Sequence, residues 1–237
     1  MIDTGTKDRL ISEDPKSAEI IKPFLAGRDI KRYQQPVNDK WLILIPFGFT
    51  KKIVGKLPEA EAFREMSSAF PAIFSFLQVH ELKAKARGDK GDYWWELRPC
   101  DYYNEFEKPK ILYQEIAAYS TFVYDRQGLY TNNKLFLIPT DDVSLLGFLN
   151  SKLVWFYLNN TANGLRGALA LQSPYILGLP VAEALINNAD ISFTVNAILE
   201  ARENKSLDST TDLEPRIDHL IYQLYDLTPE EVAMVGA

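Results

Sequence analysis

The chain has 237 residues, 46% of them hydrophobic and 24% charged, with a formal net charge of −6. That balance fits a folded domain and excludes a disordered one. Its longest apolar runs, residues 41–49 and 145–148, are too short to span a bilayer, and no basic stretch leading into an apolar one marks secretion, so a cytoplasmic location is expected. The single cysteine, Cys100, excludes an internal disulfide and a cysteine-based zinc site.

Residues 1–16 are polar and read as a pliant segment that adapts to its surroundings. Residues 17–25 read as a short helix ended by Gly27. Residues 41–47 are β-branched and aromatic and predict a strand, with Pro46 at its end. Residues 58–87 predict helix with a break before Pro71; Ile73, Phe74, Leu77 and Leu82 form its apolar stripe and Gly88 its C-cap. Residues 110–116, 122–124 and 129–138 predict strands, the last two joined as a hairpin by Asp125-Arg126-Gln127-Gly128. Residues 141–159 predict a strongly apolar helix opened by Thr140 or Asp141. A Gly-rich stretch at 163–167 and a short apolar segment reaching Pro180 follow.

Composition shifts near Val181, and only helices are expected beyond it. Residues 212–225 carry Leu213, Ile217, Leu220, Ile221 and Leu224 on one face. Thr228-Pro229-Glu230-Glu231 reads as a capping box with proline in the first turn. The expected class is α+β: a strand-rich domain at 1–180 with an apolar helix packed on it, and a C-terminal helical appendage at 181–237.

Charge is unevenly spread. Residues 22–56 hold eight Lys or Arg against two Asp, whereas residues 181–237 hold three cations against eleven acids. A basic front and an acidic tail suit a protein that offers one face to a polyanion, and suit two solvated faces equally. Between residues 82 and 116, Lys83, Lys85, Arg87, Lys90 and Arg98 interleave with Tyr93, Trp94, Trp95, Tyr102 and Tyr103. Cations beside flat rings can meet phosphates and bases. The same Trp-Trp-Glu-Leu-Arg run also reads as ordinary core with a satisfied arginine.

Catalytic patterns are missing. Gln172-Ser173-Pro174-Tyr175 lacks the amide or acid and the second proline that hold a flipped adenine, and reads as a turn. Glu81-Leu82-Lys83 has nuclease-like spacing, but no aspartate lies between Asp39 and Asp89 to complete a metal site. His80 and His219 are the only histidines, too few for a histidine metal site, and no phosphate-binding glycine loop is present. No catalytic centre is expected in this chain.

Five blocks in order carry a resemblance: residues 21–30, 94–98, 109–116, 132–136 and 145–153. Together they resemble the TaqI-like C-terminal specificity domain, the target-recognition part of adenine-N6 DNA methyltransferases and of fused type IIG restriction-modification enzymes. One departure is Ala26, where the family's usual form has arginine. The resemblance implies double-stranded DNA as partner and a methyltransferase domain or subunit, N-terminal to these blocks, that binds S-adenosylmethionine. No cofactor is implied for this chain.

On that footing the candidate DNA contacts can be named. Arg28, Lys31 and Arg32 read as a backbone-anchoring cluster or a solvated turn. Lys83, Lys85 and Arg87 meet phosphate or complement the end of their helix dipole. Lys90 and Tyr93, in a loop bracketed by Gly88 and Gly91, read as groove-reaching residues. Trp94 and Trp95 form scaffold beneath, with Arg98 paired to Glu96 or Glu115. Asn132, Asn133 and Lys134 read as base or phosphate contacts, or as a turn. Two other classes stand beside this one: a protein-interaction module docking through its C-terminal helices, and a nuclease using Glu81 and Lys83.

Overall fold

The structure, a computed structural model, describes residues 1–25, 30–38, 40–204 and 210–236. Arg28 lies outside the described residues. The class is α+β as expected, and the chain divides into two compact units, Met1–Leu25 with Asn38–Glu107 and Ala26–Val37 with Lys108–Ala237. Each unit is built around its own apolar cluster.

The first unit runs β1 (Ile2–Asp3), α1 (Thr4–Glu13), β2 (Ile21–Leu25), β3 (Lys40–Ile43), α2 (Phe49–Val54), α3 (Glu59–Ala69), α4 (Pro71–Gln78) and α5 (Glu81–Lys85). β3 lies between β1 and β2, antiparallel to both, with Ile2 opposite Trp41 and Ile21 opposite Ile43. The N-terminal segment is a built element, not a pliant one. Asp3 accepts from the Thr6 N–H at 2.7 Å, capping α1, and Leu10 is fully buried. The helix expected at residues 17–25 is replaced by a tight turn at Pro15–Glu19 and strand β2. Adjacent Ile20 and Ile21 favour the extended form, and Pro23 would remove a helical hydrogen bond. The predicted break before Pro71 separates α3 from α4.

The second unit runs β4 (Lys110–Gln114), β5 (Ile116–Ala117), β6 (Phe122–Asp125), β7 (Tyr130–Thr131), β8 (Leu135–Pro139), α6 (Val143–Leu149), α7 (Lys152–Thr161), β9 (Asn163–Leu165), β10 (Ala168–Ala170), α8 (Ser173–Leu177), α9 (Ala189–Glu203), α10 (Leu213–Leu224) and α11 (Pro229–Gly236). One sheet has the order β6-β4-β8 and another β5-β10-β9, all antiparallel. The single strand expected at 129–138 is two, β7 and β8, and the expected hairpin across residues 125–128 does not form, because β4 sits between β6 and β8. The turn itself is real: the Asp125 carboxylate accepts from the N–H groups of Gln127 (2.7 Å) and Leu129 (2.8 Å), and Gly128 takes a φ of 69°.

The apolar helix expected at 141–159 is two helices. Asp142, rather than Thr140 or Asp141, caps α6 through the Ser144 N–H. Asn150 ends α6 and Ser151 caps α7. α6 packs so closely on α9 that a Cβ at Gly147 would come within 2.9 Å of Ile191 and Val195. α9 and α10 thus share the core of the second unit with the sheet strands. By contacts the chain therefore divides elsewhere than at residue 180. The polar composition past that point hides buried Ile191, Val195, Ile198, Ile217 and Ile221.

Candidate nucleic-acid interface

In the first unit the candidate residues 83–98 fold over an aromatic cluster. Trp94 is 2% exposed and stacks on Phe63 at 5.7 Å, while Trp95 is 5% exposed and stacks on Tyr93 at 4.8 Å and 11°. Beneath them lies Glu96, fully buried. Its carboxylate accepts from the Thr50 N–H at 3.0 Å and the Asp92 N–H at 3.1 Å, tying the first turn of α2 to the loop. The Trp95 indole N–H donates to the Thr50 hydroxyl at 2.9 Å. A buried carboxylate is tolerated here because backbone donors satisfy it.

This geometry revises several expectations. Tyr93 is 6% exposed and its hydroxyl donates to the Leu57 carbonyl at 2.8 Å, so it is core and not a groove reader. Gly91 is required by packing rather than flexibility: a Cβ there would lie 2.7 Å from the Glu96 side chain. Arg87 is a fastener, donating to the carbonyls of Trp94 (2.9 Å) and Glu96 (3.1 Å). Lys85 is tied to Glu59 at 2.9 Å and Glu81 at 2.8 Å. Arg98 is exposed, and among the described residues it makes no ion pair with Glu96 or Glu115.

Besides Arg98, two cations on this segment are exposed and held by no carboxylate among the described residues, Lys83 and Lys90. Lys83 is exposed on α5, and Lys90 is exposed while its ammonium donates to the carbonyls of Lys85 (3.1 Å) and Arg87 (2.9 Å). Those carbonyls end α5, so Lys90 complements the negative end of a helix. Lys83, Lys85, Arg87 and Lys90 are thus brought together around one helix end.

In the second unit Lys31 is exposed and its carbonyl closes a turn with the Gln34 N–H at 2.9 Å. Arg32 is engaged instead: it pairs with Glu214 at 3.0 Å, and Arg202 shares the same carboxylate at 3.1 Å. Arg32, Lys152, Arg202, Glu214 and Asp218 line a cavity of about 430 Å³. Burial pushes the Asp218 carboxyl above its usual range, against the Lys152 N–H that it accepts at 2.9 Å. Neighbouring Tyr33 is fully buried at a φ of 57°. Asn132, Asn133 and Lys134 are exposed on the turn from β7 to β8. The Asn132 side chain accepts from the Lys134 N–H at 3.0 Å, and Lys134 reaches Glu115 at 3.3 Å.

Some anchoring residues escaped the sequence reading. Buried Lys110 pairs with buried Asp125 across β4 and β6. Asn150 is fully buried and bonds both backbone groups of Phe122, donating to its carbonyl at 2.9 Å and accepting from its N–H at 3.0 Å. The available signal for Asn150 was the polar Asn150-Ser151-Lys152 interruption of an apolar run. Gln172-Ser173-Pro174-Tyr175, expected as a turn, is instead the start of α8, with Gln172 as its cap residue and Pro174 in its first turn.

Among the described residues no group of three or more His, Cys, Asp or Glu is arranged to hold a metal ion, and no helix is long and apolar enough to cross a membrane. What these features define is an α+β domain whose polar turns are pinned to rigid cores. The family model of the TaqI-like C-terminal specificity domain matches residues 22–181, and the chain belongs to that family. Among solved structures, the fold is similar to that of the Type IIL restriction-modification enzyme MmeI in complex with DNA, with a TM-score of 0.61 at 15% identity. The match covers 98% of this chain and 32% of that one, so the chain spans about a third of that neighbour's length. No curated protein sequence matches.

Proposed function

We propose that this chain is the sequence-recognition part of a restriction-modification enzyme, binding duplex DNA and leaving the chemistry to a partner domain. The observation that carries the reading is the family match over residues 22–181, which contains four of the five blocks whole and most of the first. That the neighbour of similar fold was solved with DNA supports it. The partner would be an adenine-N6 methyltransferase domain or subunit, N-terminal to this part, that binds S-adenosylmethionine and extrudes the target base. The setting would be cytoplasmic. Division of labour fits the residues: nothing in the sequence resembles a cofactor loop, while the exposed cations sit on α5 and on turns tied to the two cores.

Within this reading Lys31, Lys83 and Lys90 are the phosphate contacts, and Asn132, Asn133 and Lys134 approach the duplex from the turn after β7. Lys85, Arg87 and Arg32 hold the scaffold that presents them. Phosphate contacts position a protein and base contacts specify its site.

The test is duplex binding at increasing salt. A recognition part should lose affinity steeply, with a slope of about −0.9 per neutralised phosphate, from a non-specific affinity on the order of 10⁻⁴ to 10⁻⁶ M. Flat salt dependence would favour a protein-docking module instead. Saturable binding of S-adenosylmethionine to this chain alone would contradict the division of labour.

A further inference from the structure

The tip of the hairpin formed by β9 and β10 carries no core residue, although Leu169 of β10 is buried in the core of the second unit. Ala168 lies opposite Leu165, Leu169 opposite Gly164 and Ala170 opposite Asn163, so only Arg166 and Gly167 form the turn. Both have positive φ, 47° and 85°, the pattern of a two-residue turn that normally takes Asn-Gly. Arginine is a poor steric choice for that position, and its side chain is placed at the extreme tip.

The first strand of the hairpin is equally unburdened. Asn163, Gly164 and Leu165 are all exposed, and a Cβ built at Gly164 or Gly167 meets nothing within 4 Å. Arg166 is exposed and makes no ion pair or hydrogen bond with the described residues. β5 pairs only with Leu169 and Ala170, which leaves the tip beyond the end of the ladder. Residues 143–182 contain no Asp or Glu, although the whole chain carries a net charge of −6. The hairpin is a thin ribbon in a stretch free of carboxylates, with a forked cation at its end.

We propose that this hairpin enters the major groove of the bound duplex and that Arg166 reads a guanine through its O6 and N7 atoms. The assignment rests on the proposed DNA-recognition function. Two strands about 5 Å apart fit a groove about 12 Å wide. The planar guanidinium is the side chain that matches guanine bidentately, and the Asn163 amide along the ribbon suits adenine.

The experiment uses the intact enzyme that contains this chain, selected against a library of randomised duplexes. Two variants are compared with the parent. Arg166→Gly keeps the turn, since glycine takes the positive φ without strain, and removes the fork. Arg166→Lys keeps the charge. The expected result is a preference at one base pair, G over the other bases, that falls by roughly 5- to 150-fold in Arg166→Gly. Arg166→Lys should hold the overall affinity while weakening that preference, and the other positions of the site should be unchanged. If Arg166→Gly selects the same site as the parent with the same affinity, the hairpin assignment fails while DNA recognition stands. A uniform loss across all sequences would make Arg166 a phosphate contact and overturn base reading. A parent enzyme with no salt-dependent binding to any duplex would overturn both readings.

Discussion

Replacing Asn150 by alanine should destabilise the second unit through two backbone groups of one distant residue. Asn150 is fully buried; its amide nitrogen donates to the Phe122 carbonyl at 2.9 Å and its amide oxygen accepts from the Phe122 N–H at 3.0 Å. The side chain thus behaves as a short extra strand along the outer edge of β6. Alanine leaves the Phe122 N–H buried without that acceptor, while the carbonyl keeps the Tyr33 N–H at 3.5 Å. An unsatisfied buried donor costs about 1–3 kcal/mol, and a weakened acceptor adds less. The expected loss is therefore about 2–4 kcal/mol, which for a protein of this size lowers the melting midpoint by roughly 4–16 °C. Scanning calorimetry of Asn150→Ala beside Asn159→Ala measures it, since Asn159 is exposed and bonds only the Trp155 carbonyl on its own helix. If Asn150→Ala melts with Asn159→Ala and the parent, the strand-mimic account of this residue is refuted.

Trp94→Ala should cost about 3–5 kcal/mol, as large core truncations do, because its ring is 2% exposed against Phe63; a urea midpoint near that of the parent would remove it from the core. Asp218 has its folded pKa raised above 3.8 by burial, so its contribution is fullest below that value and declines as pH rises through the raised folded value. The stability of the parent minus that of Asp218→Asn should accordingly fall with rising pH and then level off, and a difference that grows with pH would reverse the reasoning. Lys83→Ala should weaken duplex binding alike on every sequence and lower the salt slope by about one unit. Lys85→Ala, whose ammonium is already held by Glu59 and Glu81, should change the slope less, and equal effects of the two would argue against the assigned roles.

Local chemistry was legible where one face of one element decides the outcome. α10 follows from the spacing of Leu213, Ile217 and Ile221, and its Ile217 and Ile221 are buried as that period demands. The capping box at Thr228 is made in both directions, with the Thr228 N–H donating to Glu231 at 2.8 Å and the Glu231 N–H to the Thr228 hydroxyl at 3.3 Å. Pairing order was not legible. Nothing within residues 122–138 says that β4 intervenes between β6 and β8, since strand partners are chosen by packing over distance in sequence. Residues 17–25 misled because Ile20, Ile21, Phe24 and Leu25 satisfy a helical and an extended pattern alike. Tyr93 is core for a reason the sequence hides: Gly91 beside it suggests freedom, yet the Glu96 side chain crowds that glycine.

The blocks that carry the family resemblance prove to be fasteners. Trp94 and Trp95 close the first core, Lys110 pairs with Asp125, the Asn132 side chain bonds within its own turn, and Asn150 and Ser151 bind β6 and start α7. In the proposed recognition role, such fasteners hold the frame while exposed residues meet the DNA. On that proposal the reading residues belong in exposed turns, whether inside a matched block, as Asn132, Asn133 and Lys134 are, or between blocks. Arg166 stands in such a turn, outside all five blocks, in a backbone conformation that the fold alone gives no reason to assign to arginine.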